Sequence, residues 1–188
     1  MVYCKRNLKM KPIYSVLIAL SLLLVSCNSE PTLQKFFVEN RENKDFISLD
    51  ISPTILNVEK ANLTGEQKKA LESFKKMNII AFKADGKNGK AYETEKSKLN
   101  TILKDENYQQ LIKVGSGSQG ASVSFVGTED SVEEFVLYAN KKENGFAVIR
   151  ILGNDMKPED IMTMISVLQK SNVDLEQLKP LQDLMKSP

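Results

Sequence analysis

The chain has no histidine and no tryptophan, and only two cysteines, Cys4 and Cys27. Without histidine there is no Ser-His-Asp or Cys-His catalytic group, no imidazole metal ligand and no side chain of unperturbed neutral pKa to act as a switch. With aromatic residues at 7%, the aromatic walls that usually hold a sugar between two catalytic carboxylates are in short supply. Long apolar runs are scarce too. The one extended run, IYSVLIALSLLLV from Ile13 to Val25, reaches about 20 Å as a helix, short of the ~30 Å core of a bilayer.

What surrounds that run has a different meaning. Residues 1–26 carry Lys5, Arg6, Lys9 and Lys11 and no acid, so a basic start, a short apolar stretch and small residues follow one another as in a secretory signal. The run closes on Leu24-Val25-Ser26-Cys27, which resembles the lipobox of bacterial lipoproteins. That resemblance implies a lipoprotein-type signal peptide over 1–26, cleavage between Ser26 and Cys27, and a diacylglycerol on the Cys27 thiol. Met10 followed by Lys11 would open a compact signal of its own, so translation is as well served by a start at Met10 as at Met1. Removal of 1–26 takes Cys4 with it, and lipidation consumes Cys27. The mature chain is then expected to have neither a free thiol nor a disulfide, although it enters an oxidising compartment.

The charge balance changes with processing. The chain has 26 basic and 24 acidic residues for a net +2. Four of the basic residues belong to the signal, which leaves 22 against 24 and a mature charge near −2. No basic footprint for nucleic acid remains.

Beyond a tether over 27–32, residues 33–188 read as a single domain. Leu33, Phe36, Phe37 and Asn40 recur at helical spacing behind a Thr32 cap. Phe46–Ser52 alternates as a half-buried strand, Thr64-Gly65-Glu66-Gln67 is a capping box for a helix through Leu71, Phe74 and Lys75, and Met77–Ala84 is a second strand. A helix over Lys90–Lys104 precedes four strand-like stretches at Leu111–Val114, Ala121–Gly127, Glu133–Asn140 and Gly145–Leu152. The last two are apolar on both faces apart from Arg150, which places them at the centre of the sheet. A helix led by Pro158 presents Ile161, Met164, Ile165 and Leu168 up to about Lys170, and a helical tail over Leu175–Met185 packs back on the domain. The expected fold is α+β, a mainly antiparallel sheet of about five to six strands with helices packed on one face.

Several short motifs imitate chemistry. Gly115-Ser116-Gly117-Ser118-Gln119-Gly120 matches G-x-G-x-x-G, but the alternating Ala121–Phe125 that follows is a strand. A dinucleotide site needs a helix there, so a hairpin loop is expected. Ser73-Phe74-Lys75-Lys76 fits S-x-x-K, yet the S-D-N and K-T-G partners of that machinery are absent from the chain. Asp85–Gly89 puts Lys87 where a calcium loop needs its third ligand, and reads as a tight turn. Among paired acids, Glu133 and Glu134 are strand neighbours and point to opposite faces. Glu159 and Asp160 suit a first helical turn, and Glu129-Asp130 completes the set. No catalytic residue, metal ligand or cofactor is therefore assigned; the single site residue is Cys27.

The segments LQKFFVEN, FISLDIS, KDENYQQLIKV, EEFVLYANKKENGFAVIRILG, the Pro-Glu-Asp-Ile helix and LEQLKPLQDL resemble a family of uncharacterised bacterial lipoproteins, the domain-of-unknown-function family 4252, common in Bacteroidetes-type bacteria. The resemblance covers about Leu33 to Leu184. It carries no catalytic or binding residues, and genes of the family often lie beside sigma-factor genes, which points to envelope signalling. The expected protein is thus lipid-anchored in the cell envelope, in the outer membrane of a Gram-negative bacterium. It is a non-enzymatic module that binds a protein partner. An envelope hydrolase using carboxylates or Ser73 and Lys76 is one alternative; a sensor closing its Gly115–Gly120 loop over a small molecule is another.

Overall fold

The computed structural model describes residues 30–52 and 63–163, which from Pro31 onward belong to one unit, Pro31–Pro188. Helix α1 (Leu33–Asn40) opens where Thr32 turns extended and its hydroxyl accepts the Lys35 N–H at 3.2 Å. It buries Leu33, Phe36, Phe37 and Asn40, the side that the spacing marks out. Strand β1 (Phe46–Ile51) follows, then α2 (Gly65–Ser73), whose capping box forms in both directions between Thr64 and Gln67. Next come β2 (Phe74–Lys83), α3 (Gly89–Ile102), β3 (Gln109–Ser116), β4 (Gln119–Thr128), β5 (Ser131–Lys141) and β6 (Gly145–Met156). Asp160–Thr163 are helical, and residues 53–62, the remainder of the Pro158-led helix and the tail over Leu175–Met185 lie outside the described residues.

The strands form a six-stranded antiparallel sheet in the order β1-β2-β6-β5-β4-β3, so the fold is α+β with helices against a sheet. β3 to β6 are a meander, each strand turning back on its predecessor through a few residues. At the β5–β6 turn, Gly145 has φ of +120° and any Cβ there would run into the Phe82 carbonyl. Only glycine lets β6 begin so close to β2. β5 and β6 are central, as their two-faced apolarity requires.

The boundary between α2 and β2 differs in kind from the sequence reading, while the other element ends move by a few residues. The helix expected to include Phe74 and Lys75 stops at Ser73, and β2 begins at Phe74 with φ −79° and ψ 127°. Pairing decides this: Phe74 sits opposite Gly153 of β6, and its ring joins the core with Met77 and Ile151. A buried aromatic there stabilises by about 1.5–3 kcal/mol, more than the few tenths separating its helix propensity from those of better helix formers.

The two faces of the sheet are covered unequally. On the helical face α1 and α3 bury Ile80, Phe82, Val136, Phe146 and Val148 against Phe36, Tyr92, Leu99 and Ile102. Phe46, Phe82 and Phe146 form its aromatic centre, with ring centroids 5.1–5.9 Å apart; each such pair adds about 0.5–1.5 kcal/mol. On the opposite face α2 and Ile161 cover one end, packing Ala70, Met77, Phe135, Ile151 and Met156. The other end of that face has no helix among the described residues.

Candidate functional site

Three features stand out, beginning with strand β3. It is the last strand of the sheet, and its outer side pairs with no strand among the described residues. Of the five large apolar side chains exposed among the described residues, three belong to it: Leu111 at 38%, Ile112 at 47% and Val114 at 59%. A bulge between Gln110 and Ile112 breaks the pairing with β4, and Lys113 is the strand's one charge. Free edges are normally blunted by charge, shortness or cover, because their unpaired N–H and C=O groups template other strands. This edge is eight residues long, and the bulge and Lys113 are all that blunts it.

The second feature is the uncovered end of the sheet. Across β2, β6, β5 and β4 the register aligns Ile79, Ile149, Leu137 and Val123 in one row. Beside them Ala81, Ala147, Ala139 and Ala121 form the next. Ile149, Leu137, Val123, Ala147 and Ala121 are half-buried and Ala139 is exposed. About 1010 Å³ of open space lies over this end of the sheet.

The third is a polar cleft of about 530 Å³ between α3 and the β3–β4 hairpin. Lys96, Asn100 and Lys104 line its helix side, while Lys113, Ser122 and Gly117 line its strand side. Lys96 reaches across to the Gly117 carbonyl at 3.0 Å while sitting 5.3 Å from the Tyr92 ring centroid. The Tyr92 and Tyr138 hydroxyls are buried without a hydrogen-bond partner. Burial, aided by the neighbouring Tyr92, pushes the Tyr138 phenol up to about 12.

The residues singled out from sequence are placed as follows. Cys27 and the signal lie outside the described residues. Gly115–Gly120 closes the β3–β4 hairpin, with Gly115 opposite Gly120 and Ser116 opposite Gln119, and leads into a strand. Ser73 ends α2 with its hydroxyl bonded to the Ala70 carbonyl at 2.7 Å, whereas Lys76 lies in β2, 3.9 Å from Asp50. The helical turn that would carry serine and lysine on one face is interrupted between them. In the Asp85–Gly89 turn, the Asp85 carboxylate accepts the N–H groups of Lys87 and Asn88 at 2.9 and 3.0 Å, which hold its pKa below the usual value. Asp160 accepts the Lys157 N–H at 2.7 Å, as a first-turn acid should. Glu129-Asp130 is an exposed β-turn pair.

Glu133 is exposed and Glu134 buried, on opposite sides of β5. Glu134 takes both ends of the Arg150 guanidinium, at 2.9 and 2.6 Å, and Arg150 also donates to Gln34 at 2.6 Å beneath the Phe37 ring of α1. The sequence marks Arg150 as the exception in an apolar strand but does not identify its partner. The available signal is the Glu133-Glu134 pair, whose alternation must send one acid to the core side of the neighbouring strand. Burial first, and the Glu134 carboxylate second, raise the pKa of the adjacent Tyr108.

These features define an α+β domain whose sheet is sealed on one side and, among the described residues, covered over only one end of the other. A family model described as Domain of unknown function (DUF4252) matches residues 37–164, and the chain belongs to that family. No curated protein and no solved structure matches it.

Proposed function

We propose that the protein is a lipid-anchored module of the bacterial cell envelope that holds a protein partner at the free edge of β3. The carrying observation is the cluster of exposed Leu111, Ile112 and Val114 on an edge strand with an unpaired outer side. An extended segment adding to such an edge gains main-chain hydrogen bonds from the strand and specificity from alternate side chains. Cys27, placed by the Leu24-Val25-Ser26-Cys27 motif, supplies the anchor in this reading, with the outer membrane as its site and envelope signalling as its setting. Affinity capture from envelope membranes tests the edge: the wild type retains a protein that Ile112→Lys loses at unchanged melting temperature. Equal capture by both chains refutes the edge as the contact.

A second reading rests on the polar cleft. Lys96, Lys104 and Lys113 outnumber the one acid of its lining, Glu93, and Lys104 and Lys113 have no carboxylate partner among the described residues; its volume falls within the range of small-molecule sites. In this reading the protein is a sensor of a small organic anion. Titration with citrate, followed by the amide signals of α3 and the β3–β4 hairpin, tests it; unmoved signals at millimolar citrate refute it.

A further inference from the structure

We infer that the polar cleft takes a hydroxylated anion, a small molecule bearing one phosphate or carboxylate on a hydroxyl-rich skeleton. Its charged end sits at Lys104 and Lys113, and its hydroxyls run inward over Ser122 to Tyr138. The inference rests on the sensor reading of the cleft and narrows it to one ligand class.

The sheet wall carries the first observation. Lys113 pairs with Ser122, and Ser122 with Tyr138, so the three stand in one row across β3, β4 and β5, and all line the cleft. At ~4.8 Å between strands the row is about 10 Å long. It runs from an ammonium at the sheet edge through a hydroxyl to a buried phenol. The neighbouring row is Gly115, Gly120 and Asn140, so bare backbone flanks the polar groups at the edge.

The second observation is the donor at the inner end. Tyr138 is 8% exposed, and its hydroxyl has no hydrogen-bond partner among the described residues, a deficit that a ligand oxygen removes. The Tyr92 hydroxyl, also buried and unpartnered, lies near enough to bear on the Tyr138 phenol, so the inner end offers two O–H donors. Burial holds the Tyr138 phenol neutral, and a charge placed beside it would lose its hydration. A neutral ligand oxygen therefore belongs at this end, and the anion at the rim.

The third is the chemistry of the walls. Lysine only donates, whereas serine and asparagine both donate and accept, as a ligand hydroxyl does. Facing the sheet row, Lys96, Asn100 and Lys104 recur every four residues, so the helix wall repeats the same mixture. In the bound state a ligand oxygen replaces the Gly117 carbonyl, now 3.0 Å away, as the partner of Lys96, and the lysine moves off the Tyr92 ring.

The test titrates the full-length chain with glucose 6-phosphate and with gluconate, following the amide signals of α3 and the β3–β4 hairpin. Inorganic phosphate, glucose and citrate are the comparison titrants. At least one sugar anion is expected to bind about tenfold more tightly than inorganic phosphate, through the hydrogen bonds of its hydroxyls, with glucose inert. Tyr138→Phe should weaken that sugar anion about fivefold, the worth of one hydrogen bond, and leave inorganic phosphate as it was. Lys104→Gln should weaken both. Equal binding of inorganic phosphate, equal weakening of both titrants by Tyr138→Phe, or no binding of either sugar anion overturns the inference. Citrate binding with both sugar anions inert overturns it while the anion-sensor reading stands. Lys104 and Tyr138 lie outside β3, and Lys113 alternates with Ile112 to the other face, so loss of partner capture by Ile112→Lys bears on the edge alone.

Discussion

The two faces of one sheet are built from the same strands yet end in opposite states. Val148 is 0% exposed on the helical face, while the next residue of β6, Ile149, is half-buried on the other. Along β5, Tyr138 is buried and Ala139 exposed. Strand sequence sets which face a residue takes, through the two-residue period. What lies on top sets whether it is dry. The sealed face is therefore a stability element, and the other face, with the edge beside it, is where the chain has surface to offer.

The contrast is broken most severely at the buried ion pair under α1. Glu134→Ala strands the Arg150 guanidinium in the core and should cost about 3–5 kcal/mol in urea unfolding. Adding Arg150→Met to the same chain should restore most of it, since the loss is that of an unpaired buried charge. Gly145→Ala comes next. It forces a side chain into φ of +120° against the Phe82 carbonyl and should cost more than about 2 kcal/mol.

These two sites also mark what the sequence made legible. Local signals translated directly: the Thr32 cap, the Thr64–Gln67 capping box and the meander turns depend on residues a few positions apart. The end of α2 did not, because Phe74 chooses the strand for the sake of Gly153 and Ile151, far along the chain. Nor did the site. Leu111–Val114 reads as an ordinary strand, and only the strand order reveals that it stands at an edge. The Glu134–Arg150 pair was half visible, since its two members lie on neighbouring strands whose register no local pattern specifies.

Smaller effects sharpen the comparison. Tyr138→Phe removes a buried hydroxyl without a partner, so stability at pH 7 should change by less than about 1 kcal/mol. The folded phenol titrates at about 12 and the unfolded one near 10.0. Above pH 10 the unfolded chain therefore loses this proton first, and the wild type should lose stability as pH rises toward 12. Tyr138→Phe should lose less over that window; unfolding curves at pH 9 and 11 give the comparison. Least of all, Ile112→Lys on the exposed edge should shift stability by no more than about 0.5 kcal/mol, in thermal or urea unfolding.

The central proposal, that the protein is an envelope module working through its β3 side, is tested most directly by hydroxyl-radical footprinting of the protein in isolated envelopes and after purification. Protection of Leu111, Ile112 and Val114 in the envelope, with Phe146 and Val148 unchanged between the two states, is the predicted result. Equal labelling of β3 in both states, or protection confined to exposed residues elsewhere such as Val38 of α1, would contradict it.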